Sequence, residues 1–127
     1  NSSGTYIAYV FCEVTGHTKF GSYVGNSNAN GKFIYTGFKP SFVLVKMIDG
    51  SAHWQIADTK RPTYNPRHYL RPNSNALEGT DIPFDILSNG FKARSTDTSY
   101  NGSSNTYIYY AVGQTLVGSN NVPAVAI

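Results

Sequence analysis

From Thr36 to Arg61 the chain reads TGFKPSFVLVKMIDGSAHWQIADTKR, and its apolar positions fall into two strands joined by a turn. Phe42 to Ile48 is dense in β-branched and aromatic residues, which suit a pleated surface. His53 to Asp58 alternates, placing Trp54 and Ile56 on one face. Asp49-Gly50 stands between them, a pair that favours a hairpin because Gly accepts positive φ. The first arm is apolar on both faces except at Lys46, which predicts a central strand covered on both sides. Thr5 to Val14 (TYIAYVFCEV) has the same two-sided character, with Tyr6, Ala8, Val10 and Cys12 on one face and Ile7, Tyr9 and Phe11 on the other. It is predicted as the first strand, turning at Thr15-Gly16-His17 into a second at Lys19–Val24. A polar loop, Asn26–Gly31, leads to a third at Lys32–Thr36, broken by Gly37. Further strands are predicted at Phe84–Leu87, at Phe91–Arg94 after a Ser88-Asn89-Gly90 turn, and at Thr106–Val112 after a Ser/Thr/Asn-rich loop.

No segment offers three turns of helical periodicity. The expected fold is therefore all-β, an antiparallel β-sandwich, with jelly-roll-like connectivity one arrangement the strand spacing permits. Pro62, Pro66, Pro72 and Pro83 punctuate a loop spanning residues 59–83, against a regular ladder there. Residues 1–115 are expected to form the sandwich. Residues 116–127, apolar from Val122 to Ile127, form an extension expected to dock on a partner subunit.

One internal similarity cuts across this plan. Residues 2, 3, 5, 6, 7 and 9 are identical to residues 103, 104, 106, 107, 108 and 110, an offset of 101. The two stretches are either paired strands closing one sheet, or equivalent strands of a tandem repeat.

Composition agrees with a turn-rich β domain: charged residues make up 13% and aromatic residues 14%, including ten Tyr and seven Phe. The formal charge of +3 is spread along the chain, without the dense basic stripe of a nucleic-acid binder. No apolar run approaches membrane-span length. The opening Asn-Ser-Ser-Gly has neither an initiator Met nor a signal-peptide pattern, so the sequence reads as a processed chain or a fragment of a longer one. The single cysteine, Cys12, lies in an apolar pattern and reads as a small buried hydrophobe. Two glycosylation sequons, at Asn1 and Asn101, carry little weight in so Asn- and Ser-rich a sequence.

The ordered blocks TYIAYVFCEVTGHTKFGSY, then Gly-Lys-Phe-Ile-Tyr-Thr-Gly-Phe-Lys-Pro-Ser-Phe-Val-Leu-Val-Lys, then a Trp strand ending in Asp58, then LSNGFKAR, then SSNTYIYYAV, resemble a domain of tailed-bacteriophage virion proteins. The resemblance covers residues 5–113. It implies a virion structural module of a tail fibre or other appendage, assembled with other virion subunits as a homo-oligomer and in some cases binding a bacterial surface glycan. It brings no catalytic motif. A capsid-decorating cement protein, clasping its neighbour with the segment after Leu116, is the alternative.

Candidate chemistry is sparse. His17, His53 and His68 lack metal-ligand spacing, and no metal or cofactor is expected. Asp49 and Asp58 are hard-oxygen candidates for Ca²⁺, although turn formation explains Asp49 more simply. Asp58, Glu78, Asp81 and Asp85 supply carboxylates without a recognisable glycosidase pair, and no enzyme is expected. The best-motivated binding cluster is Tyr64, Arg67, His68, Tyr69 and Arg71, with Trp54 as a further aromatic platform. Tyr and Trp faces stack on sugars, and Arg makes paired hydrogen bonds to anionic groups. The competing and simpler reading has Tyr64 and Tyr69 pinning the long loop, the Arg residues pairing locally, and Trp54 packing beneath it.

Overall fold

A computed structural model describes residues 3–61, 68–81 and 83–114. Seven strands run in the order β1 (Thr18–Val24), β2 (Phe33–Tyr35), β3 (Pro40–Met47), β4 (Gln55–Asp58), β5 (Phe84–Leu87), β6 (Gly90–Ala93) and β7 (Thr106–Gly113), with one helical turn, α1 (Thr98–Asn101), before the last strand. They form two antiparallel sheets, β1-β7-β3-β4 and β2-β6-β5, packed as a sandwich. Consecutive strands change sheet at β1/β2, β2/β3, β4/β5 and β6/β7, so the two layers are laced together.

Alternation builds the core. Val43, Val45 and Met47 of β3, Ala57 of β4, and Tyr107, Tyr109 and Ala111 of β7 point inward from the larger sheet. Ile34, Phe84, Ile86, Phe91 and Ala93 meet them from the smaller one. The rings interlock edge-on, Phe84 with Phe91 at 5.4 Å and Phe91 with Tyr109 at 5.2 Å. Such pairs add to the stabilisation from burial alone.

The predicted hairpin pairs as expected, from Phe42 opposite Asp58 to Val45 opposite Gln55, and β3 is central, between β4 and β7. Two details differ. The connection is a broad loop rather than a tight Asp-Gly turn, because the Asp49 carboxylate accepts the Thr106 amide and is drawn toward the start of β7. Only one face of β3 is covered by the opposite sheet; Phe42 and Leu44 on the other are half-buried. By contrast, β5 and β6 do form a two-residue hairpin, with Leu87 opposite Gly90. A Cβ at Gly90 would lie 2.1 Å from the Ile34 carbonyl oxygen, so β2 and β6 approach this closely only with glycine there. Gly37, at φ 85°, ends β2.

The 96–105 loop is more ordered than its composition predicts. Asp97 caps α1 by accepting the Ser99 amide at 2.6 Å. Tyr100 of α1 is buried against Phe84 and Tyr69. The Tyr107 hydroxyl donates to the Thr98 carbonyl and accepts from the Gly102 amide, and the Tyr23 hydroxyl donates to the Tyr100 carbonyl. Tyr23 and Tyr107 therefore fasten this loop to the sandwich, each through the one polar atom of its ring.

The largest departure is at residues 5–13. The predicted first strand has no ladder among the described residues; its one backbone bridge is Val14–Thr18. The Thr18 hydroxyl donates to the Cys12 carbonyl, and the Glu13 carboxylate accepts the Phe20 amide at 3.0 Å. Side chains thus occupy the groups through which a hairpin with β1 would continue. The segment leaves as an arm, with Tyr6 73%, Tyr9 81% and Val10 91% exposed. Cys12 is exposed rather than a buried hydrophobe. Nor does the arm pair with its near-copy β7, whose neighbours are β1 and β3.

Candidate functional site

Of the residues expected to bind a ligand, the structure describes Trp54, His68, Tyr69 and Arg71, and these four do different things. Tyr64 and Arg67 lie outside the described residues, as does the extension 116–127. Tyr69 is buried, edge-on to Tyr100 at 5.4 Å. Its backbone pairs with Gly79, and Leu70 pairs with Ile56, so residues 69–70 run along the edge of β4. Arg71 turns back, donating from Nη2 to the Tyr69 hydroxyl at 2.9 Å and placing its guanidinium 5.2 Å from that ring centre. Tyr69 and Arg71 therefore anchor the loop to the core.

His68 belongs to a surface network. The Arg61 guanidinium bridges Asp58 and Glu78, and His68 Nδ1 lies 3.2 Å from Glu78. Burial pushes the Asp58 carboxyl up, but its bonds from Arg61 and from the Lys60 and Arg61 amides outweigh that and hold it below the usual carboxylate range. Arg61 pairs with both carboxylates, which ties the end of β4 to the loop. Asp85 pairs with Arg94 at 3.1 Å. Of the Ca²⁺ candidates, Asp49 accepts the Thr106 amide through Oδ2, and Asp58 accepts the Lys60 and Arg61 amides through Oδ1 and the Arg61 guanidinium through Oδ2; the described residues hold no cluster of three or more potential metal ligands.

Trp54 lies elsewhere. Its amide donates to Asn73, but its side chain faces outward on the larger sheet. There Phe11, Phe20, Leu44, Trp54, Ile108 and Tyr110 line an almost wholly apolar groove of about 440 Å³. Tyr110 is its centre: Phe20 stacks on it at 4.5 Å, Phe11 tilts against it at 5.3 Å and Phe42 meets it edge-on at 6.3 Å. The sequence signal for this face was the two-sided apolar character of the β3 and β7 segments, which suggests burial on both sides and in fact marks one covered face and one open aromatic one.

A third polar hub sits around Asn101, fully buried despite its glycosylation sequon. Its side chain receives the Asn26 amide and donates to Asn26 Oδ1 and to the Asn28 and Ser95 carbonyls. These bonds hold the 26–30 loop against α1 and leave no access for a glycan.

Over residues 1–115 the chain matches the domain of unknown function DUF7483. It belongs to that family. No curated protein and no solved structure matches the chain. For DUF7483 the described geometry thus comprises a charged network at the β4 edge, an aromatic groove on the outer face of the larger sheet, and an uncovered arm beside that groove.

Proposed function

We propose that this chain is a structural module of a tailed-phage virion, part of a tail fibre or other appendage, and that it works by assembly with further virion subunits. The observation that carries the reading is where the sequence blocks of the phage resemblance sit. Thr36 and Gly37 of the Thr-Gly-Phe block donate their amides to the Asn89 carbonyl of the Leu-Ser-Asn-Gly-Phe block, at 3.0 and 3.2 Å. The Tyr-Ile-Tyr block is the middle of β7. Blocks that specify turns and central strands, rather than a pocket, suit a building block. The open aromatic face and the exposed arm supply surface for assembly.

Binding of a host-surface glycan is the finer part of the proposal. The described part of the loop cluster favours it less than the sequence does, since Tyr69 and Arg71 serve the core; the half-buried Trp54 offers an aromatic face in its groove. Antibodies raised against the chain should decorate the tail or its appendages in electron micrographs of particles from a phage that encodes it. Decoration of the head would favour the cement reading, and particles free of label would overturn both. Host adsorption unchanged by Trp54→Ala and Arg67→Ala would remove the glycan component.

A further inference from the structure

We propose that the arm, residues 5–12, is a strand donated to another molecule, adding to the open edge of β1 in a second copy of this chain. The inference deepens the assembly reading by naming the two surfaces that meet.

The first argument is the edge. β1 pairs with β7 through Lys19, Gly21 and Tyr23, and Gly25 continues the series by donating to the Asn105 carbonyl. Backbone groups alternate along a strand, so those of Phe20, Ser22 and Val24 point away from β7. Phe20 gives its amide to Glu13 of its own chain, whereas Ser22 and Val24 present theirs along an edge with no strand beside it among the described residues. An extended segment satisfies such an edge by strand addition.

The second argument is the arm itself. It is a near-copy of β7, the strand that β1 accepts on its other side: Tyr6, Ile7 and Tyr9 stand where β7 has Tyr107, Ile108 and Tyr110. In β7 the Ile108 and Tyr110 side chains line the outer groove beside Phe20, while Tyr107 faces the core. A β7-like strand on the opposite edge of β1 presents the same alternation, with Ile7 and Tyr9 extending the aromatic face while Phe11 rests on Tyr110 of its own chain. The exposed Tyr6, Ile7, Tyr9, Val10 and Phe11 offer on the order of 700 Å² of apolar surface.

The third argument is why the arm does not fold back. Glu13 and Thr18 occupy the first ladder positions within the chain, and a three-residue connection separates Val14 from Thr18. They divert the arm from its own β1 while leaving the Ser22–Val24 edge free for another. A second copy is favoured over a foreign partner because one chain carries both halves, an uncharged apolar strand and the edge whose other side already receives that strand pattern.

Sedimentation of the 127-residue chain and two variants tests this. I7D/Y9D spoils the arm. S22P removes an edge amide that takes no part in the β1–β7 ladder, with V24P as a second edge variant should S22P fail to fold. The wild type is expected to sediment as an oligomer and each folded variant at the mass of a single 13.9 kDa chain. Mixing I7D/Y9D, which keeps the edge, with an edge variant, which keeps the arm, should restore a mixed species. A wild type that stays monomeric overturns this inference, whereas the assembly reading with other virion subunits falls only on the particle labelling. An oligomer that survives I7D/Y9D, or that survives both edge variants, overturns arm donation alone.

Discussion

Residues 106–113 and residues 5–12 carry nearly the same string, TYIYYAVG against TYIAYVFC, yet Tyr107 is 0% exposed and Tyr6 is 73% exposed. The difference lies in neighbours rather than propensity. β7 lies between β1 and β3, hydrogen-bonded on both sides, and Phe91 packs on its inner ring, Tyr109. The arm has the alternation of a strand but no edge within reach, because Glu13 and Thr18 close the approach to β1. A strand is a pairing, and half of it is invisible in the segment that forms it.

The sharpest way to separate the two regions is alkaline pH. Burial raises the phenol pKa values of Tyr23, Tyr100, Tyr107 and Tyr109 above the ordinary value, Tyr23 also feeling Tyr107 and Tyr100 also feeling Tyr69. Because the folded state prefers the neutral phenol, the stability these rings contribute is complete below the unfolded pKa of about 10 and is lost as pH rises past it. Absorbance titration should show these four ionising together with the loss of near-UV circular dichroism. Their smooth ionisation in a folded protein would contradict the packing described.

Truncation comes next. Tyr107→Ala removes the ring stacked on Tyr23 at 4.9 Å and both loop bonds of its hydroxyl, and should cost about 3–5 kcal/mol in denaturant melts. Tyr6→Ala, measured where the chain is dilute enough to be monomeric, should stay within about 0.5 kcal/mol. Equal effects would mean that the arm is packed within its own chain. A smaller loss, about 2–3 kcal/mol, is expected for Asn101→Ala, which removes the buried side chain whose bonds hold the 26–30 loop against α1.

The smallest effect on stability belongs to Glu13→Ala. Glu13 is fully exposed, and its carboxyl is held low by the Phe20 amide first and Lys19 second. The melting midpoint should barely move. The Phe20 amide, freed, should let the arm pair with its own β1, and an oligomer built by arm donation should weaken.

How much of this could be read from the chain follows the same division. β3 with β4, the β5–β6 hairpin and the inward Phe91 and Ala93 were legible because both partners of each pair lie close in sequence or alternate cleanly. The Asp49-Gly50 turn was misplaced because Asp49 answers to Thr106, 57 residues away. α1 was hidden because a single capped turn has no periodicity to detect. In the candidate site, Tyr69 and Arg71 were legible as neighbours but not as core anchors, since the ring that buries Tyr69 comes from Tyr100 in that unread turn. The groove around Tyr110 was missed because two-sided apolar strands in a sequence look the same whether the second face is covered or open.

The central claim is that the arm is a strand whose partner lies in another molecule. Amide hydrogen exchange read across a dilution series tests it most directly. The account predicts that alternate amides of residues 6–12, those facing β1 of the second copy, are protected in the concentrated protein and lose that protection on dilution, together with the amides of Ser22 and Val24, while the β7 amides stay protected throughout. Arm amides that exchange freely at every concentration, or that are protected independently of it, would contradict the account.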